Sequence, residues 1–231
     1  MEGYQNFNNS QNYDPNMLAN MTSTAILFLV VNDVSPSIAS YVHEMNTAAR
    51  EIFMKDLKKS HRKDEIMVKT LTFCEKVEHK SGFAPILSLP DDYLDVAPTG
   101  RGTALYDAVL EGLEQVVQYR KDLEDQGIEV RTAVYISTDG ADNSSNHTSP
   151  GKIKKIIDSL RKNEAWANSF TINMLGVGDA SDFQHACTEM GLDHKKCLVT
   201  VGGSADEIRK QMGVVSQSVS SSSAQGTTVN F

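Results

Sequence analysis

Only three cysteines, Cys74, Cys187 and Cys197, occur among 231 residues. An odd, sparse set with no metal-ligand spacing excludes a disulfide scaffold and a thiolate metal site, and fits a reducing compartment. Long apolar runs are missing too: the longest, Ala25 to Val31, falls far short of the roughly 20 residues that a membrane-spanning helix needs. The opening Met-Glu-Gly-Tyr-Gln-Asn-Phe-Asn-Asn has neither the charged start nor the apolar centre of a secretory signal, so a soluble, cytoplasmic protein is expected. Positive charge is scarce. With 22 Lys and Arg against 30 Asp and Glu, the net charge is −8, which disfavours nucleic acid and membrane surfaces as partners. The one basic cluster, Lys55 to Lys63, is broken by Asp56 and reads as the solvated end of a helix, where cations complement the dipole. No nucleophile motif accompanies His147, which reads as a surface residue. Gly176-Val177-Gly178 lacks the third glycine of a dinucleotide fingerprint.

What the chain does have is a regular alternation of strand and helix patterns. Ala25 to Val31, apolar throughout and bounded by turn residues, predicts a central strand buried on both faces. Helical spacing from Ile38 to Lys59 predicts the first crossover helix. Glu65 to Cys74 predicts a second strand and Lys76 to His79 a short third one. Ser81 to Pro98, with Pro85 and Pro90 inside it, is a long connection that cannot be a central strand. A helix over Thr103 to Gln126 stops at Gly127, and a strand follows over Glu129 to Thr138. The helix Gly151 to Asn163 has Ser149 as cap and Pro150 as first residue. Strand Phe170 to Val177, helix Asp182 to Met190, strand Leu198 to Thr200 and helix Ser204 to Ser218 complete the pattern. This order predicts an α/β fold with a doubly wound, mainly parallel central sheet flanked by helices. Residues 1–22, rich in Asn, Gln, Ser and Tyr, are expected to form a flexible polar arm, 23–218 the domain, and 219–231 a Ser/Thr-rich tail. The arm's Tyr4, Phe7 and Tyr13 offer contacts to a partner, and oligomerisation through the termini is compatible with this layout.

Three short stretches carry the chemistry. Asp33, Ser35 and Ser37 follow the first strand in a D-x-S-x-S pattern, Thr103 closes Thr99-Gly-Arg-Gly-Thr103, and Asp139 ends Val134-Tyr-Ile-Ser-Thr138-Asp139. The first stretch reads either as a turn with Ser37 capping the next helix or as oxygen ligands at the strand's C-terminal edge. Thr103 likewise reads as an N-cap, a ligand or both, and Asp107 in the same helical turn reads as a dipole partner. Together the stretches place five oxygen donors on three loops.

In this order and spacing they resemble the von Willebrand factor A domain with its metal-ion-dependent adhesion site, over Ser23 to Ser218. The resemblance implies a Rossmann-like fold in which Asp33, Ser35 and Ser37 are the first-motif ligands, Thr103 the second and Asp139 the third. Pro36 departs from it, since the family usually has glycine there. Two carboxylates and three hydroxyls are hard donors that suit Mg²⁺, with Mn²⁺ or Ca²⁺ next, and the lack of His or Cys in the motifs disfavours Zn²⁺. The resemblance further implies a binding module rather than an enzyme, with an acidic side chain of a partner protein completing the ion's shell. A short, cysteine-poor chain ending in Val214-Val-Ser-Gln-Ser-Val219 is similar to stand-alone bacterial and phage proteins of the TerY group, which implies an adaptor or assembly factor working with an ATPase, kinase or phosphatase. Two alternatives stay open: a structural component that uses the fold as scaffold, and a metal-dependent phosphoryl-transfer enzyme. The second lacks a Lys, His or Cys at any motif position.

Overall fold

The computed structural model describes residues 23–140, 142–178, 180–201 and 204–220; the expected arm 1–22 and the tail from 221 onward lie outside them. Strand β1, Thr24–Asp33, is buried from its second residue to its last. Because side chains alternate along a strand, Ala25, Leu27, Leu29 and Val31 enter one apolar layer while Ile26, Phe28 and Val30 enter the other. A strand with two apolar faces must be covered on both, which places it at the centre of the sheet. Strands β2 (Ile66–Phe73) and β5 (Glu129–Thr138) pair parallel with it on either side, Asp33 standing opposite Phe73 and Asn32 opposite Ser137. With β3 (Val77–His79) antiparallel to β2, and with β6 (Phe170–Val177) and β7 (Leu198–Val201) beyond β5, the order is β3-β2-β1-β5-β6-β7. The two-residue β4, Ala84–Pro85, pairs with β2 as well, at an edge where proline's missing N–H does no harm.

The predicted fold class is the one observed. From β1 the chain moves outward to β2, then crosses back to β5 on the other side of β1. The reversal falls between β1 and β5, and their C-terminal ends flank the crevice in which open α/β sheets bind ligands. Helices α3 (Leu105–Glu124), α4 (Pro150–Lys162) and α6 (Ala180–Glu189) cover the first layer, and α8 (Ala205–Ser220) packs on the second. Short helices α5 (Glu164–Ala167) and α7 (His194–Cys197) precede β6 and β7. Helix α8 runs two residues past its expected end, with Val219 buried.

The single helix expected over Ile38 to Lys59 is instead a 3-10 turn at Pro36–Ser40, α1 at Val42–Ala48, a π-helical stretch at Ala49–Asp56 and α2 at Leu57–Lys59. Within the π stretch Phe53 and Met54 are both buried. Phe53 stands edge-on between Phe28 and Tyr135, at centroid distances of 5.2 and 5.1 Å. Lys58, expected in a solvated turn, pins the long connection: its Nζ donates to the Leu89 carbonyl at 2.6 Å and to Asp91 Oδ1 at 2.7 Å.

Candidate metal centre

Strand β1 ends at Asp33, fully buried. Its Oδ1 accepts the Ser35 N–H at 2.8 Å, closing a local turn. Its Oδ2 accepts the Thr138 hydroxyl at 2.7 Å, from the last residue of β5. The Ser35 and Ser37 hydroxyls lie 3.0 Å apart, and Ser37 Oγ donates to Asp139 Oδ1 at 2.8 Å. Four of the five expected donors therefore form one hydrogen-bonded chain across the mouth of the crevice. The capping expectation for Ser37 is corrected: the 3-10 turn starts at Pro36, Ser35 occupies its N-cap position without a side-chain capping bond, and the Ser37 hydroxyl is committed to Asp139. Pro36 is explained by the same geometry, since the first position of a helical turn needs no N–H.

Thr103 reaches this edge through its backbone. The Thr99 N–H donates to the Val34 carbonyl and the Ala104 N–H to the Cys74 carbonyl, both at 2.6 Å, so the loop is tied at its two ends to the residues that follow β1 and β2. Gly100 lies in the left-handed region at φ +74°, and a Cβ there would meet Glu75 Oε2 at 2.3 Å, which leaves glycine as the only residue that fits. The Glu75 carboxylate accepts the Arg101 N–H at 2.7 Å, and that bond leads the contacts holding its carboxyl down to about 2. The Thr103 hydroxyl is outside the Asp33–Ser35–Ser37–Asp139 chain. Nor does it cap α3: Ala104 is the N-cap, and the first-turn N–H groups of Tyr106 and Asp107 donate to Asp142 Oδ1 (3.2 Å) and Ser145 Oγ (3.0 Å) from the loop after Asp139. Asp107 answers in kind, accepting the N–H groups of Asn146 and His147.

Burial pushes the Asp33 carboxyl above its ordinary range, against the opposing pull of hydrogen bonds from Ser35 and Thr138. Asp139 is raised as well, first by burial and further by the charge of Asp33. Both shifts mark negative charge that solvent cannot fully stabilise, in a hydrogen-bonded cluster without Lys, Arg or His. A divalent cation would supply the missing charge, and carboxylate and hydroxyl oxygens are the donors that hard cations take. Among the described residues no three His, Cys, Asp or Glu side chains group as a metal cluster, so the centre depends on its hydroxyls. The donor set present fits a divalent ion.

Sequence reasoning missed Thr138, Asn143, Asp142 and Ser145. Thr138 was legible in principle, as a hydroxyl on the strand residue before a carboxylate. The other three act across loops, and no local spacing announces them.

By sequence, the chain matches no family model and no curated protein. By structure it is similar to proximal thread matrix protein 1 from the mussel byssus, at 20% identity over 86% of this chain and 47% of that one, with a TM-score of 0.56. The pilus adhesin SpaC from Lactobacillus rhamnosus GG, in its open conformation, aligns at 10% identity over 85% of this chain and 30% of that one, with a TM-score of 0.64. The SpRpn10 VWA domain aligns at 14% identity, 81% and 93% coverage and a TM-score of 0.50. The chain has the von Willebrand factor A fold. The chain spans less than half of the mussel protein and of the adhesin. Another structure of the mussel protein, 22% identical over 85% of this chain and 46% of that one with a TM-score of 0.55, has a zinc-occupied MIDAS motif. Among the described residues of the present chain, no helix is long and apolar enough to cross a membrane.

Proposed function

We propose that this A domain is a divalent-cation-dependent protein-binding module, in which an acidic side chain of a partner completes the shell of an ion held by Asp33, Ser35, Ser37, Thr103 and Asp139. The observation that carries the reading is the linking of Asp33 to Asp139 through the Ser35 N–H and the Ser35 and Ser37 hydroxyls at the sheet's switch point. Each oxygen of Asp33 accepts one hydrogen bond, which orients the carboxylate and leaves lone pairs for the ion. The hydroxyls of Ser35, Ser37 and Thr103 keep lone pairs for coordination. The bound ion supplies concentrated positive charge with a position open to a carboxylate.

The cluster offers no Lys, His or Cys to act as nucleophile or general base, which supports binding over catalysis. Mg²⁺ is the ion proposed, because it takes few protein ligands and retains water. The zinc-occupied motif of the mussel protein puts Zn²⁺ beside Mn²⁺ and Ca²⁺ among the ions to compare, despite the absence of imidazole and thiolate. An adaptor role toward an ATPase, kinase or phosphatase in the cytoplasm follows the TerY-like resemblance.

Thermal melts of the wild type and Asp139→Ala, each in EDTA and in millimolar Mg²⁺, Mn²⁺, Ca²⁺ or Zn²⁺, test the centre. An ion that binds only the folded state stabilises it by about 2.7 kcal/mol at a hundredfold excess over its dissociation constant. The wild type is expected to gain such a shift and Asp139→Ala to lose it while melting normally in EDTA, because the ligand sits on a loop. A wild-type melt indifferent to all four ions would refute the reading.

A further inference from the structure

The Thr103 loop and the Asp139 loop are joined by one side chain. Asn143 Oδ1 accepts the Thr103 N–H at 2.8 Å, and the backbone N–H groups of Asn143 and Ser144 both donate to the Thr103 carbonyl, at 3.0 and 3.1 Å. The peptide groups on either side of Thr103 are thus held by the loop that begins at Asp139. The two loops pack so closely that a Cβ on Gly102 would lie 2.1 Å from Ser144 Oγ and 3.1 Å from Asn143 Oδ1. Gly102 is not among the positive-φ glycines, so this approach, and no backbone demand, explains the glycine. Capping does not account for Asn143, since Asp142 and Ser145 cap α3.

We infer that Asn143 is a positioning residue for the metal centre. It acts through Thr103, holding that residue's hydroxyl in register with the Asp139 carboxylate so that ligands from two loops are arranged before the ion arrives. The inference rests on the reading of Thr103 and Asp139 as ligands. A ligand already held in place loses little freedom on binding, and residues that orient metal ligands typically contribute 10- to 100-fold to affinity. An asparagine suits the task because its carbonyl accepts the N–H while its own backbone N–H serves the carbonyl of the same residue.

The test is the Mn²⁺ dissociation constant, by calorimetry on the full chain, for wild type, Asn143→Ala, Asn143→Asp, Thr103→Ala and the double variant Thr103→Ala/Asn143→Ala. Asn143→Ala is expected to bind about 10- to 100-fold more weakly than wild type. Asn143→Asp keeps the acceptor for the Thr103 N–H and is expected to bind at least as tightly as wild type. If Asn143 acts through Thr103, the two losses are not additive, and Asn143→Ala changes little in the Thr103→Ala background. The inference is overturned if Asn143→Ala binds as wild type, if Asn143→Asp loses tenfold as well, or if the Asn143→Ala loss persists undiminished without the Thr103 hydroxyl. Wild type that binds no Mn²⁺ overturns the positioning role as stated, while the site itself falls only with melts indifferent to all four ions.

Discussion

Lys69 sits on the β2 face that carries Met67 and Leu71 into the α3 layer, with no exposed surface. Its Nζ lies 5.9 Å from the Phe83 ring centroid. Burial drives its pKa from the ordinary 10.5 down to about 8, against the pull of the Glu111 charge. The folded value is the lower one, so below pH 8 both states carry the proton and the folded state bears the full cost of a buried ammonium. Between pH 8 and 10.5 the unfolded chain holds more protons than the folded one, and stability rises with pH. Lys69→Met fills similar volume without charge and should stabilise the protein at pH 7 by up to about 3 kcal/mol, at 1.36 kcal/mol per pKa unit. Urea midpoints of the two proteins should converge as pH climbs from 8 to 10.5; a constant difference across that range would show that the ammonium is not the cause.

At the scale of elements, α3 begins at a residue with no capping side chain and borrows its cap from a loop 36 to 38 residues away. Ser145 Oγ accepts the Asp107 N–H, and its own proton goes to Asp142 Oδ1. Ser145→Ala removes an acceptor from the helix N-terminus and should cost about 1 kcal/mol in urea denaturation, the usual weight of an N-cap; an unchanged midpoint would show that solvent replaces it. This borrowed cap marks the boundary of what sequence reading reaches. The main strands and helices were legible because burial writes an unbroken apolar run, as in β1, or a period of 3.6, as in α4, into consecutive residues. The order of three loops bearing Asp33, Thr103 and Asp139 was legible because each follows or opens a periodic element. The π turn was not, since the apolar spacing from Ile38 to Lys59 is the same whether the backbone closes α or π turns. Asn143 was missed because its partner, Thr103, lies on another loop.

Over the whole molecule, the two apolar layers share one strand. Leu27, Leu29 and Val31 anchor the layer that holds Trp166, while Ile26, Phe28 and Val30 anchor the layer of Phe53, Tyr135 and α8. Neither layer closes without β1, and the loop bearing Asp33, Ser35 and Ser37 leaves its end, so loss of either layer should release the other and unfolding should be a single transition. Trp166 is the only tryptophan. It is buried, with the Arg120 guanidinium 4.6 Å from its ring centroid and its Nε1–H donating to Glu124 at 2.9 Å, so its fluorescence reports the first layer alone. Phe28→Ala damages only the second layer, removing the ring that Phe53 packs against, and should cost roughly 3–5 kcal/mol. If β1 couples the layers, the Trp166 fluorescence midpoint in urea falls together with the far-UV circular dichroism midpoint, by the same amount. A fluorescence midpoint left at its wild-type value while the dichroism shifts would mean that the layers unfold separately, and that the crevice between β1 and β5 can lose one wall at a time.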